Sequence, residues 1–265
     1  MNYFWNPYAF LAPVQRRILG VIAVLSVLAL WSLVSLTELV SPNKLPPPWK
    51  VLDAMKYLAW YEGKSLLWPA IVASVSRVAS AALLVVAIGI PIGVLMGAAP
   101  RINALLSPLV DPFRSTPIVA LLPILVVWMG IGEGMKVAFL FLGAVVYLIP
   151  MVRDAILAVP QAYWISARDL GATPFESVYR AVLPIAMPRI ADAVIVAVSL
   201  MWTYITVAEY VNAGAGLGQL IQNSRRFSAM DQVFAGIIVI IVLALATYQL
   251  MSWAKRRLYH WETYV

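Results

Sequence analysis

The sequence predicts an all-α membrane protein with six transmembrane helices, and three observations carry that reading. Hydrophobic residues make up 63% of the 265 and charged residues 12%, with a mean hydropathy of +0.87, too apolar for a soluble domain. Apolar runs long enough to cross ~30 Å of hydrocarbon at ~1.5 Å per residue recur along the chain. Basic residues gather beside those runs, so the net charge of +7 reads as a topology signal and not as a nucleic-acid surface. With no cysteine and one histidine, His260 in the tail, a disulfide framework, a thiolate metal site and a histidine-based triad all drop out. No catalytic, cofactor or metal residue is expected in the chain.

A short N-terminal segment, 1–17, ends on Arg16-Arg17. The first span follows at 18–40, too long for a signal-peptide core and without a small-residue cleavage site. Prolines through 42–48 call for extended backbone. Val51, Leu52, Met55, Leu58 and Ala59 then recur at helical spacing between Trp49 and Trp60, as in a helix lying on the membrane surface. That helix is either an interfacial anchor or a docking surface for an external partner. The second span, 78–99, carries Gly89, Gly93 and Gly97 on one face, where another helix can approach closely. The third, 117–131, is short and broken by Pro123. The fourth covers 135–152, the fifth 190–211 and the sixth 233–254, closed by Lys255-Arg256-Arg257.

Six spans put both termini on one side. Arg101, Arg114, Arg153, Arg168, Arg180 and Arg189 join Arg16-Arg17 and Lys255–Arg257 there, which favours cytoplasmic termini. On that side lies "ISARDLGATPFESVYRAVLPIAMPR", 165–189. Tyr163, Trp164, Ala167 and Leu170 share one helical face, opposite Ser166, Arg168 and Asp169. Gly171 stands where a left-handed helix cap favours glycine. Thr173-Pro174-Phe175-Glu176 reads as a helix start, with Thr173 as N-cap, Pro174 first in the helix and Glu176 closing a capping box. Phe175, Val178, Tyr179 and Val182 form its apolar stripe, and Pro184 should stop it. Two short amphipathic helices meeting at a glycine turn make a rigid knob, its apolar face packed under the membrane domain. It is either a partner-docking element or a local packing device.

Ionisable groups within spans carry the remaining chemistry. Glu209, near the outer end of span five, is expected to pair with Arg77 near the outer end of span two, or with another basic group, as part of a gate or as a fixed interhelical tie. Met201, Trp202 and Tyr204, with Thr206, Trp128 and Met129, either line a translocation path or pack. Asp192 is expected to favour a helix N-terminus. Arg225 and Arg226 belong to an outer loop, attracting anions or simply solvated. Gly214, Gly216 and Gly218 lack the spacing of a dinucleotide fingerprint and read as a flexible turn. No G-x-x-x-x-G-K-[ST] loop occurs, so the chain should not hydrolyse ATP.

The knob resembles the cytoplasmic motif E-A-A-x3-G-x9-I-x-L-P of binding-protein-dependent ABC importer permeases. Aligned on Gly171, the chain shows Ala167, Gly171, Leu183 and Pro184 in register, with Ile165 at the glutamate, Ser166 at the first alanine and Ala181 at the isoleucine. "LPPPWKVLDAM" (45–55), "GIPIGVLMG" (89–97), "GLGQLIQNSRRF" (216–227) and "VFAGIIVI" (233–240) are similar to the nitrate/taurine-type subfamily, in the same order. The resemblance implies a type I, MetI-like permease fold over 18–265 with a coupling-helix pair at 160–188. ATPase contacts would then fall on Ile165, Ser166, Ala167, Arg168, Asp169, Gly171, Ala172, Thr173, Pro174, Glu176, Leu183 and Pro184. It further implies an inner-membrane location, a second permease copy (a homodimer in the usual case) and two ATPase subunits that hold ATP and magnesium. A periplasmic or lipid-anchored binding protein would deliver nitrate, bicarbonate, a sulfonate or a vitamin precursor. The rival readings are a secondary transporter or channel, which would show intramembrane acids or inverted repeats, and a membrane scaffold, which needs no such knob.

Overall fold

The computed structural model describes residues 11–60, 62–211 and 214–261, and these are helical with short connections. The first ten residues of the expected N-terminal segment lie outside the described residues. The long helices are α1 (Pro13–Leu36), α3 (Leu67–Ala98), α6 (Glu133–Leu157), α9 (Leu183–Tyr210) and α11 (Met230–Leu258). Between them stand α2 (Pro48–Ala59), α4 (Pro100–Val110), α5 (Leu122–Met129), α7 (Gln161–Asp169), α8 (Pro174–Ser177) and α10 (Leu217–Arg226). Among the described residues, five helices are long and apolar enough to cross a membrane.

The sixth crossing follows from how α3 and α6 pack. A Cβ at Gly89 would lie 2.9 Å from Leu148 Cδ2, one at Gly93 2.6 Å from Val152 Cβ, and one at Gly97 2.6 Å from Ile156 Cβ. Steps of four residues on one helix match steps of four on the other, both increasing, so α3 and α6 run parallel. Parallel neighbours require the chain between them to return to its starting end. Residues 100–129 make that return as two pieces bent by 98°. The third span is therefore not one short helix broken at Pro123. Pro123 stands in the first turn of α5, where a missing N–H costs nothing, and the break falls at Thr116-Pro117.

Other boundaries differ from the hydropathy reading. α3 begins at Leu67, three turns before the expected Val78, so Arg77 sits inside a helix. α6 passes through Pro150 to Leu157. Pro42–Lys44 form a turn, with Lys44 N donating to Ser41 O at 2.7 Å, in place of extended backbone. Pro184 does not stop its helix. One π-helical turn, Val178–Val182, joins α8 to α9, and its wider spacing accommodates the proline's missing N–H.

The core gathers around α6, from which Phe139, Leu140, Ala144, Leu148 and Val152 are fully buried. Tyr204 of α9 lies over Gly143, where a Cβ would meet its ring at 2.7 Å. α2 is clipped to protein as well as placed for the membrane surface: Val51, Ala54 and Leu58 pack with Ala235 of α11, and Trp31 Nε1 donates to Pro46 O at 3.0 Å. α9 and α11 run antiparallel, tied by Lys255 Nζ to Asp192 Oδ2 at 2.7 Å. Asp192 is thus mid-helix, not an N-terminal dipole partner. Two ends result. One carries α7, α8 and the end of α11; the other carries α2, α10 and the starts of α3 and α6.

Candidate functional site

At the α10 end a buried charge cluster joins four parts of the chain. Glu209, fully buried at the end of α9, accepts through Oε1 from Arg77 Nη1 at 2.6 Å and from Ser74 Oγ at 2.7 Å. Its Oε2 accepts from the Gly218 N–H at 2.7 Å. Arg77 also forks onto Glu133, Nε to Oε2 at 2.6 Å and Nη2 to Oε1 at 2.7 Å, and donates to Ala215 O at 2.8 Å. Lys136, 2% exposed, donates to Glu133 Oε1 at 2.9 Å. Arg77, Lys136 and Glu209 are buried, while Glu133 is 62% exposed at the edge of the cluster, and the pairing of two cations with two carboxylates offsets the cost of burial.

Glycine lets the backbone reach this centre. A Cβ at Gly216 would stand 2.5 Å from Glu209 Cδ, and one at Gly218 2.8 Å from Thr206 O. The Leu217 N–H donates to Ser74 Oγ at 3.0 Å. Residues 214–218 are therefore a fitted cover over the cluster, which corrects the reading of a flexible turn. The expected outer loop beyond it is α10, with Leu217, Gly218, Ile221 and Ser224 buried and Arg225 and Arg226 in its last turn.

The opposite end carries the knob. α7 closes in a two-bond glycine cap: Gly171, at φ +89, donates to Arg168 O at 2.9 Å, and Ala172 N donates to Ala167 O at 3.1 Å. Arg168 Nη1 donates to Ala172 O at 2.6 Å across the same turn. Thr173 Oγ1 accepts from Glu176 N at 3.2 Å while Glu176 Oε2 accepts from Thr173 N at 2.9 Å, the reciprocal capping box expected. Ser177 Oγ adds a bond to Thr173 O at 2.9 Å. Arg168 and Glu176 thus brace the turn itself.

The knob's apolar residues do not all pack inward. Trp164 and Val182 join the core, but Leu170 is 89% exposed, Phe175 77% and Tyr179 62%. The Phe175 and Tyr179 rings stack at 6.2 Å. Capping fixes the directions of the two helices, and those directions leave Leu170, Phe175 and Tyr179 at the tip, beyond reach of the bundle. Burying such a side chain is worth roughly 1.5–3 kcal/mol, so the tip is an unfilled contact surface.

Residues 89–260, which include the knob, match the family model for the inner-membrane component of binding-protein-dependent transport systems. The chain belongs to that family. It is similar to the taurine transport system permease protein TauC of Escherichia coli, 32% identical over 82% of this chain and 80% of the relative. A putative aliphatic sulfonates permease, SsuC of Bacillus subtilis, is 29% identical over 71% of this chain and 68% of its own length. The bicarbonate permease CmpB of Synechococcus elongatus is 29% identical over 73% and 69%. The fold resembles that in inward-facing structures of the MetNI methionine ABC transporter, with TM-score 0.66 and 24% identity over 72% of this chain and 95% of that one.

In this permease the pairing of Glu209 with Arg77, expected from sequence, is direct. Glu133, Lys136 and Ser74 were missed as members of the cluster. Glu133 stands in the first turn of α6, just before the expected start of span four, and its one readable signal was Lys136 one turn on. Met201 and Trp202 are buried within the chain, the Trp202 indole N–H without an acceptor among the described residues. Tyr204 meets Phe139 edge-on at 6.1 Å, whereas Trp128 and Met129 are exposed.

Proposed function

We propose that this permease carries a small anion of the sulfonate, bicarbonate or nitrate kind inward, driven by ATPases that grip the knob at 160–188. The observation that carries the proposal is the knob tip. Its turn is braced by two caps, yet Leu170, Phe175 and Tyr179 face solvent, as a surface made for another protein does. The anionic group follows from the solutes in the relatives' names: taurine and aliphatic sulfonates carry a sulfonate, and bicarbonate is an oxyanion. ATP and magnesium belong to the partner ATPases, since this sequence holds no phosphate loop. Two ATPase subunits, a second permease copy and an external binding protein complete the importer.

In this reading the protein lies in the inner membrane with the knob and both termini on the cytoplasmic side. Arg101, Arg153, Arg189 and Lys255–Arg257 at the knob end support it through the positive-inside rule. The buried charge cluster then lies at the outer end. There it holds the ends of three spans and the 214–218 cover together, so that movement at the knob reaches the outer face through a stiff body.

Gly171→Val tests the reading. No atom lies within 4 Å of an added Cβ at Gly171, so the change acts through the φ of +89, where a β-branched residue is strained. The variant should insert and keep its spans but lose co-purification with the ATPase. Undiminished ATPase recovery, together with normal substrate-stimulated hydrolysis, would overturn it.

A further inference from the structure

At the knob end an open cavity of about 540 Å³ lies between the α6–α7 turn, the first turns of α9 and Trp261. Val159, Pro160, Ile185 and Pro188 form its apolar wall, the rings of Tyr163 and Trp261 flank it, and Arg189 is its charged group. Arg189 is exposed and has no ion-pair or hydrogen-bond partner among the described residues.

The bond between Asp192 and Lys255 fixes the height of this cavity. Because α9 and α11 are antiparallel, moving three residues back from Asp192 matches moving three forward from Lys255. Arg189 therefore stands level with Leu258, just past Arg256 and Arg257. The apolar lengths of both helices, 190–208 and 233–254, lie to the other side. Lys255 is held by Asp192 and Arg257 lies 5.6 Å from the Trp253 ring centroid, while Arg256, like Arg189, has no acidic partner among the described residues. Arginines, a tyrosine and a tryptophan at one height mark the boundary between hydrocarbon and headgroups.

We infer that this cavity is a binding site for one anionic phospholipid, with its phosphate on Arg189. The proximal glycerol and chain carbons lie against Ile185 and Pro188, between Tyr163 and Trp261. Charge chooses the headgroup: among the described residues no carboxylate lines the cavity, and basic pockets between spans take anionic lipid headgroups. Shape chooses the lipid over a free ion, since the wall beside the arginine is apolar. The volume falls within the roughly 300–1,000 Å³ of small-ligand sites, room for a headgroup and the start of a chain, with the remainder in the bilayer. The inference does not depend on the transported solute or on the ATPase.

Native mass spectrometry of the purified full chain tests it, with phosphatidylglycerol and phosphatidylcholine offered at equal concentration. Wild type should retain phosphatidylglycerol in preference, and inorganic phosphate at millimolar concentration should not displace it. Arg189→Ala should lower that retention about tenfold, the loss of one charge-assisted contact, while Arg225→Ala at the other end should leave it unchanged. Ala158→Trp, which fills the cavity and keeps the charge, should also lower it, so a folding defect in one variant does not decide the matter. Equal retention of both lipids, or unchanged retention in both cavity variants, would overturn the site. Displacement by phosphate would assign it to a free anion and overturn the lipid.

Discussion

Glu209→Gln should destabilise the permease strongly although it removes no volume. Both oxygens of Glu209 accept: Oε1 from Arg77 and Ser74, Oε2 from Gly218 N. An amide replaces one oxygen with an NH2. Turned one way, it sets that NH2 against the Gly218 N–H; turned the other way, against the Arg77 guanidinium. No third orientation exists, because the side chain is 0% exposed and Gly216 closes over it. Arg77 keeps its fork on Glu133 but loses its second carboxylate, leaving the buried cluster with a net positive charge. Removing one partner from a buried pair costs about 3–5 kcal/mol, which for a domain of this size lowers Tm by roughly 6–20 °C. Thermal unfolding of the purified chain in detergent, monitored by tryptophan fluorescence, measures it. A shift under about 2 °C would refute the reasoning.

Two further changes probe other joints. Gly93→Ala sets a Cβ 2.8 Å from the Ile149 carbonyl oxygen as well as 2.6 Å from Val152 Cβ, an overpacking that typically costs about 1–3 kcal/mol. Its Tm should fall, and Val152→Ala in the same chain should recover little of the loss, since it removes Cγ1 but leaves the contacts with the residue 152 Cβ and the Ile149 carbonyl oxygen. Thr173→Ala removes the N-cap of α8, worth about 0.5–2 kcal/mol. Hydrogen exchange should quicken over residues 174–182 and stay unchanged in α3 and α6.

The spans were readable because the bilayer demands long apolar runs, and the knob because its caps are local. Gly171 and Thr173-Pro174-Phe175-Glu176 place their bonds within a few residues, and each forms as their order implies. The errors lie where distant contacts decide. Ser74, Ser76 and Arg77 lower the hydropathy of the first turns of α3, so its start was set too late; Glu209, far along the chain, makes that polar stretch tolerable inside a helix. Gln222, Asn223, Arg225 and Arg226 made α10 look like loop, although Leu217 and Ile221 bury a full face. Pro184 is a sound stop signal for an α-helix, and a π-turn defeats it. The direction of Leu170, Phe175 and Tyr179 depends on how the two capped helices meet the bundle, which no spacing within 161–184 specifies.

Because the chain has no cysteine, a single introduced thiol tests the knob as the ATPase contact most directly. Leu170→Cys and Phe175→Cys, each co-expressed with the partner ATPase and treated with a short bifunctional thiol-to-amine reagent, should each give a cross-linked permease–ATPase product. Arg225→Cys, at the other end of the bundle, should give none. Cross-linking from Arg225→Cys, or its absence from both knob positions in a complex that still hydrolyses ATP, would contradict the assignment.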